Sequence, residues 1–289
     1  MAKYEIPQDQ VREMQMVGLR MLEYFDKVCK ENKLTYFFCG GCCIGTIRNK
    51  GFVPWDDDVD VFMPRSDYEK LKEVWKDTTD YSIQYTTKDF ITENQFLTIC
   101  ANNTTFIKTY QKNLDINHGV VLDVIPLDGC PQGFKRKMQK VWALLYSLFI
   151  IGKAPENHGN LVYTVGNTLL KIVSSKKLRY KLWRLCENKM TKYPIEECDY
   201  ITELCTGPHY MKNEYPKEIF SKPLYKEFED GLYPIPIGYD KYLKMAFGNY
   251  MELPPVEKRV CHHEYEFMDM KNSYKKYKGI YYCKEDKLK

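Results

Sequence analysis

Net charge is what this chain has least of. Across 289 residues, 43 Lys and Arg stand against 39 Asp and Glu, a formal +4. Even that excess is local: from Lys271 to Lys289 seven lysines face only Glu285 and Asp286, a net +5, so the remainder is near neutral at −1. A body so nearly balanced lacks the electrostatic footprint of a non-specific nucleic-acid binder. A long apolar run is also missing. The most apolar stretch, Val141 to Gly152, is too short for a membrane helix of ~20 residues. Met1 to Pro7 has neither the apolar segment nor the small-residue cleavage site of a signal peptide. There is no internal repeat and no low-complexity linker. These absences predict a soluble, cytoplasmic protein of ordinary globular composition, 44% hydrophobic and 28% charged, long enough to bury a core without staples. Cysteine is not scarce, but eleven is an odd number. In a chain of this size it predicts reduced, mostly buried thiols rather than a disulfide framework.

Periodicity then supplies the elements. Val11, Met14, Gly18, Leu22, Phe25 and Val28 recur at three- and four-residue steps between charged residues, which predicts an amphipathic helix from Asp9 to Asn32. Leu34 to Cys39 reads as a short strand entering Gly40-Gly41, with helical turns over Cys42 to Arg48 and a second strand over Asp58 to Met63. Arg65 to Lys76 is helical in pattern, and strand signals follow at Tyr81–Thr86, Phe96–Ala101, Thr104–Tyr110 and Gly119–Ile125. Beyond Pro131 the candidates are helices: Phe134–Ile151, Leu161–Val173 and Lys176–Met190. The last third is rich in Tyr and Pro, with one short helix expected at Tyr239–Phe247. The fold class expected is α+β, a mixed sheet flanked by helices with an added helical subdomain.

The chemistry concentrates in GGCCIGTIRNKGFVPWDDDVDVFMPR, from Gly40 to Arg65. Asp56, Asp57, Asp58 and Asp60 put four carboxylates within five positions. In an extended chain Asp56, Asp58 and Asp60 share one face, and Asp57, Val59 and Val61 take the other. Three like charges on one face raise one another's pKa unless something compensates. A divalent cation, Mg²⁺ or Mn²⁺, is the natural compensation, because it prefers oxygen ligands and keeps positions open for phosphate. A solvated acidic turn is the bland alternative, and it fits poorly with Asp58 and Asp60 alternating with Val59, Val61 and Phe62. The Gly40-Gly41 pair at a helix start would let backbone N–H groups approach an anion.

A strand, a glycine pair, a short helix and then Asp-x-Asp on the next strand resembles the DNA polymerase β-like nucleotidyltransferase fold. The longer string, continuing through Ser66 to Leu71, resembles specifically the LicD family of phosphocholine transferases, with the fukutin-related ribitol-phosphate transferases as distant relatives. The resemblance resumes at Gly119 to Gly129 (GVVLDVIPLDG) and at Phe247 to Arg259 with His262 and His263, so it spans most of the chain in order. It implies a nucleotidyltransferase-like catalytic core over 1–130, a mainly helical subdomain over 131–235 and a C-terminal segment over 236–289 that closes over the active site. Metal ligation would fall to Asp58 and Asp60 with Asp56 close by. Asp123 would be the third catalytic carboxylate, as ligand or as general base, and Asp128 would serve the Pro126 turn. Gly40, Gly41, Arg48, Lys50, Arg259 and His262 would bind the donor phosphates, and Trp55 would pack or offer its face to choline.

The activity implied is transfer of phosphocholine, or a similar phospho-substituent, from CDP-choline or a related CDP-linked donor, with release of CMP. The acceptor would be a hydroxyl of a cell-surface glycan or glycolipid precursor such as lipopolysaccharide or teichoic acid. Such work would be done in the cytoplasm, with peripheral contact at the inner membrane face through the lysine-rich tail. Two rivals stand beside it. One is a true nucleotidyltransferase consuming a nucleoside triphosphate. The other is a non-catalytic zinc or membrane-docking module built on Cys39, Cys42, the 141–152 run and the tail. Cys39-Gly40-Gly41-Cys42 has C-x-x-C spacing, but no second C-x-x-C occurs and the Cys-rich insertion of the fukutin-related proteins is missing.

Overall fold

A computed structural model describes residues 6–154, 159–261 and 263–284. In chain order its elements are α1 (Gln8–Asn32), β1 (Phe37–Phe38), α2 (Gly40–Arg48), β2 (Val59–Pro64), α3 (Arg65–Val74), β3 (Tyr81–Gln84), β4 (Leu97–Ala101), β5 (Thr105–Lys108) and β6 (Val121–Cys130). There follow α4 (Gly133–Ile151), α5 (Asn160–Ile172), α6 (Lys176–Met190), β7 (Tyr200–Thr202), α7 (Gly207–Met211) and β8 (Tyr215–Pro216). The chain continues through β9 (Pro223–Phe228), β10 (Gly231–Pro236), α8 (Tyr239–Phe247) and β11 (Tyr265–Asp269). The class is α+β, a mixed sheet with helices against it. The chain divides into two compact units. One comprises Met1–Gln84, Leu97–Val124 and Phe220–Lys289, the other Tyr85–Phe96 and Ile125–Ile219.

In the first unit the strands run in the order β1-β2-β6-β4-β3, with β1–β2, β4–β6 and β3–β4 antiparallel. Helix α1 packs its apolar stripe inward: Val11, Met14, Leu22 and Phe25 are buried. It lies so close to β2 that a Cβ on Gly18 would stand 2.9 Å from Val59 Cγ2. The helix stops at Lys33, whose left-handed backbone (φ 56°) sends its N–H back to Cys29 and Lys30. Two pairings had no periodic signal. The hairpin β9–β10 carries Pro223, Pro234 and Pro236, and prolines that cannot donate to a ladder are tolerated in a two-stranded ribbon because both strands are edges. Strand β11 pairs with β5 across a bulge between Tyr265 and Phe267.

In the second unit α4, α5 and α6 enclose Ala143, Tyr146, Phe149, Trp183, Cys186 and Met190. The buried Arg136 is satisfied by Glu214 (3.0 Å), Gln139 (2.8 Å), Thr202 (3.0 Å) and the Met211 carbonyl (2.7 Å). Within the apolar run 141–152, Ala143, Tyr146, Phe149 and Ile150 form the core face of α4 while Val141 and Leu144 are exposed, and the helix closes at Gly152 (φ 70°). Strand β6 is longer than its sequence pattern. It was expected to end at Ile125 before a turn held by Asp128, yet it runs to Cys130, and Asp128 pairs in register with Thr202. Pro126 is accommodated because it falls between the residues that pair with β4 (121–124) and those that pair with β7 (128–130). The composition shift at Pro131 therefore marks the start of α4, whereas the compact unit begins within β6.

Candidate active site

All the candidate residues that the structure describes belong to the first unit. The acidic run is held by a turn before it becomes a strand. Asp56 N–H donates to the Val53 carbonyl (2.9 Å), and Gln15 on α1 donates to the carbonyls of Val53 (3.1 Å) and Asp56 (2.9 Å). Because β2 begins only at Val59, the alternation expected of Asp56, Asp58 and Asp60 holds only from Val59 onward. Asp57, expected on the opposite face, has a side chain with 0% exposure.

The glycine pair serves these carboxylates. A Cβ on Gly41 would stand 1.8 Å from Asp56 Oδ2, and one on Gly40 would stand 3.7 Å from Asp60 Oδ2. Gly40 also takes φ +49°, a conformation costly for any other residue. Asp56 and Asp60 therefore lie against the first turn of α2, whose unpaired N–H groups favour negative charge. The N–H of Gly40 donates to the hydroxyl of Tyr242 on α8 at 3.0 Å.

The group is electrostatically tense. Asp60 is pushed well above the ordinary carboxylate value, first by burial and then by Asp58, Asp123 and Asp56. Asp58 is raised by burial, with His263 opposing and Asp57 and Asp123 adding to the rise. Asp56 is raised well above its usual value by burial, Asp58 and Asp57, with Arg48 opposing. Asp123 stands on β6 opposite Thr98, and its Oδ1 is buried with no hydrogen-bond partner among the described residues, an acceptor with lone pairs to offer.

Two neighbours were not among the expected site residues. Lys108 on β5 is buried. Burial alone would lower its ammonium, but Asp123, Tyr110, Asp58 and Asp60 more than reverse this and hold it charged. A lysine closing a fully buried strand (TFIK) is what marks it. His263 arrives with β11. Its backbone N–H donates to Asp57 Oδ2 (3.2 Å), and its Nδ1 lies 3.3 Å from the same oxygen and 3.8 Å from Asp58 Oδ2. Among the described residues, Asp57, Asp58 and His263 form the one group of three His, Cys, Asp or Glu whose ligand atoms all lie within 4.8 Å of one another. Asp58, Asp60 and Asp123 do not close to that distance.

The basic residues divide. Arg48 and Arg259 converge on Trp55, their guanidinium carbons 5.9 and 5.6 Å from its ring centroid. Each is anchored by a carbonyl, Arg48 by Tyr250 (3.2 Å) and Arg259 by Pro254 (2.8 Å). Burial and then the charge of Arg259 lower the Arg48 guanidinium, while Asp56 raises it. Two repelling cations held together beside carboxylates make a place for an anion that can bond to both. Lys50 is different: its ammonium is 3.1 Å from Glu227 on β9, on a side chain three-quarters exposed, and joins none of the carboxylates. His262, Lys287 and Lys289 lie outside the described residues. Cys39, Cys42 and Cys43 are buried thiols in no disulfide, Cys42 and Cys43 held protonated chiefly by burial.

Asp58, Asp60, Asp123 and Asp56 could hold a divalent cation. The donor set is oxygen with one adjacent imidazole, the chemistry of Mg²⁺ or Mn²⁺ rather than of a thiolate zinc site. The unpartnered Asp123 oxygen fits such a ligand role. The family model for the LicD/FKTN/FKRP nucleotidyltransferase domain matches residues 33–136, which hold α2, the acidic run, Lys108 and Asp123. The chain is also 31% identical over 267 residues to a lipopolysaccharide cholinephosphotransferase, LicD, of Haemophilus influenzae, covering 88% of this chain and 96% of that protein.

Proposed function

This chain belongs to the LicD family and is a LicD-type phosphotransferase, and from that premise we propose that it moves phosphocholine from a CDP-activated donor to a hydroxyl of a cell-surface glycan or glycolipid precursor, releasing CMP. The observation that carries the reading is the meeting of two opposed charge sets, the mutually raised carboxylates Asp56, Asp58 and Asp60 with Asp123, and the arginine pair around Trp55. The similarity to a lipopolysaccharide cholinephosphotransferase supports choline phosphate as the group moved and a lipopolysaccharide-type glycan as acceptor.

In this reading the acceptor hydroxyl attacks the distal phosphorus. The new P–O bond forms as the bond to the bridging oxygen breaks, and CMP leaves with that oxygen. Arg48 and Arg259 bind and orient the diphosphate, Arg through paired N–H donors. Gly40 and Gly41 admit Asp56 and Asp60 beneath it. Asp58, Asp60 and Asp123, with Asp56, hold Mg²⁺ or Mn²⁺, which when bound supplies a positive charge to the phosphoryl oxygens. Asp123 Oδ1 also offers the lone pair that can take the acceptor proton. Lys108 keeps a fixed positive charge within the carboxylate group. His262 and Lys50 belong to the donor-binding set of the family resemblance; in the present geometry Lys50 would have to leave Glu227 to join it. A peripheral contact at the inner membrane face, where glycolipid precursors are made, completes the proposal.

The test is product analysis with CDP-choline and a soluble glycan acceptor in Mg²⁺. CMP appearing only with acceptor present, and lost by at least a hundredfold in Asp60→Asn and Asp123→Asn, is the expected result. Pyrophosphate released from a nucleoside triphosphate would instead establish nucleotidyl transfer.

A further inference from the structure

The near-neutral composition conceals a second charge division, and it lies in the helices of the second unit. Residues 131–192 carry thirteen Lys and Arg against only Glu156 and Glu187, a net +11, so the remaining chain is −7 against the +4 total. Lys135, Lys137, Lys181 and Lys189 are exposed and have no ion-pair partner among the described residues. Large apolar side chains stand among them on the outer rows. On α4 the row 134, 137, 141, 144 is Phe, Lys, Val and Leu, with Phe134 76% and Leu144 46% exposed; on α6 the row 178, 181, 185 is Leu, Lys and Leu, with Leu178 45% and Leu185 44% exposed. On α5 Ile172 is 72% exposed beside Lys171. Steps of three and four place each row on one helix face, so these helices are apolar on the core side and mixed lysine and apolar on the outside. A helix turned only toward water would carry polar groups there.

We propose that the outer faces of α4, α5 and α6 form a docking surface for an anionic lipid bilayer. Lysines would meet the phosphate headgroups while Phe134, Leu144, Ile172 and Leu185 enter the interface, the arrangement of helices that lie in a membrane surface without crossing it. No helix among the described residues is long and apolar enough to cross. Nucleic acid would satisfy the charge but would leave the exposed apolar groups in water, and a second copy of this chain would set +11 against +11. The surface gives the peripheral contact proposed above a location other than the lysine tail, and it stands whether or not the donor is CDP-choline.

The experiment is co-sedimentation of the full chain with vesicles of phosphatidylcholine alone or with 30% phosphatidylglycerol, without donor or acceptor, so that its failure is independent of the catalytic assay. Binding to anionic vesicles at least tenfold tighter than to neutral ones, and lost in high salt, is expected. Lys137→Glu/Lys181→Glu and Phe134→Ser/Leu185→Ser should each weaken it at least tenfold while melting like the wild type and keeping full transfer to a soluble acceptor. Replacing Lys284, Lys287 and Lys289 by Gln should change it less than threefold. No preference for anionic vesicles overturns the proposal. So do loss of binding in the tail variant alone, tighter binding to an RNA oligonucleotide than to vesicles, and a dimer that the Phe134→Ser/Leu185→Ser change dissociates.

Discussion

Gly41→Ala separates what helix propensity predicts from what the tertiary structure predicts. Gly41 lies inside α2 without a positive φ, so a local argument expects Ala to stabilise the helix by about 0.5–1 kcal/mol. In the folded protein the added Cβ would stand 1.8 Å from Asp56 Oδ2, against an ordinary contact of 3.4 Å or more. At least ~1.6 Å must be found. Asp56 cannot yield it through its backbone, which is tied to Val53 and to Gln15. Overpacking of this kind costs about 1–3 kcal/mol, so the expected net effect is a loss of about 0–2.5 kcal/mol with Asp56 turned from its place. Transfer activity should fall by an order of magnitude or more. The decisive assay is a double-mutant cycle in denaturant with Asp56→Ala, which removes the obstructing carboxylate. There Gly41→Ala should become stabilising, giving a coupling of about 1–3 kcal/mol. Additive effects, or a stabilised and fully active Gly41→Ala, would refute the placement of Asp56 against α2.

The raised carboxylates fix a pH dependence. An acid whose folded-state pKa lies above its unfolded value favours the fold while protonated, and that contribution is lost as pH rises from the ordinary Asp range through the raised values of Asp56, Asp58 and Asp60. In EDTA the melting temperature should therefore fall from pH 5 to pH 8, and Mg²⁺ should restore it more at pH 8 than at pH 5. An equal or larger metal effect at pH 5 would contradict the cluster's role. Arg259→Lys keeps the charge but loses the fork and the stacking on Trp55; steady-state kinetics should show donor KM raised about tenfold with a smaller change in kcat, and an unchanged KM would count against a donor contact. Asp57→Ala leaves the His263 N–H without its acceptor and should cost about 1–3 kcal/mol in urea unfolding, whereas Asp57→Asn, which still accepts, should cost less. Equal losses would show that the pairing is unimportant.

Elements with a periodic signal were legible. Helix α1 and helix α8 fall within a residue of their expected bounds, because apolar residues at three- and four-residue steps specify both the helix and its buried face. The hairpin β9–β10 was not, since its prolines count against a strand wherever the pairing partner is unknown. The end of β6 was missed for the same reason: Pro126 reads as a stop unless the change of partner from β4 to β7 is known.

The site shows the same division. Asp58 and Asp60 could be singled out by spacing alone, because alternating carboxylates in an apolar strand are costly wherever they fold, and Asp123 by the family resemblance. Asp57, Lys108 and His263 could not. Burial of Asp57 depends on a turn set by Gln15, thirty-eight residues before Val53, and His263 reaches Asp57 across more than two hundred residues through the β11–β5 pairing. Sequence by itself determined the local chemistry, the family likeness and the class of fold, since these rest on patterns within a few residues or along one strand. Only tertiary structure decided what surrounds each charge, which arginines meet around Trp55 and which lysine lies inside the carboxylate group. Electrostatic energy depends on distance and burial, and chain order specifies neither.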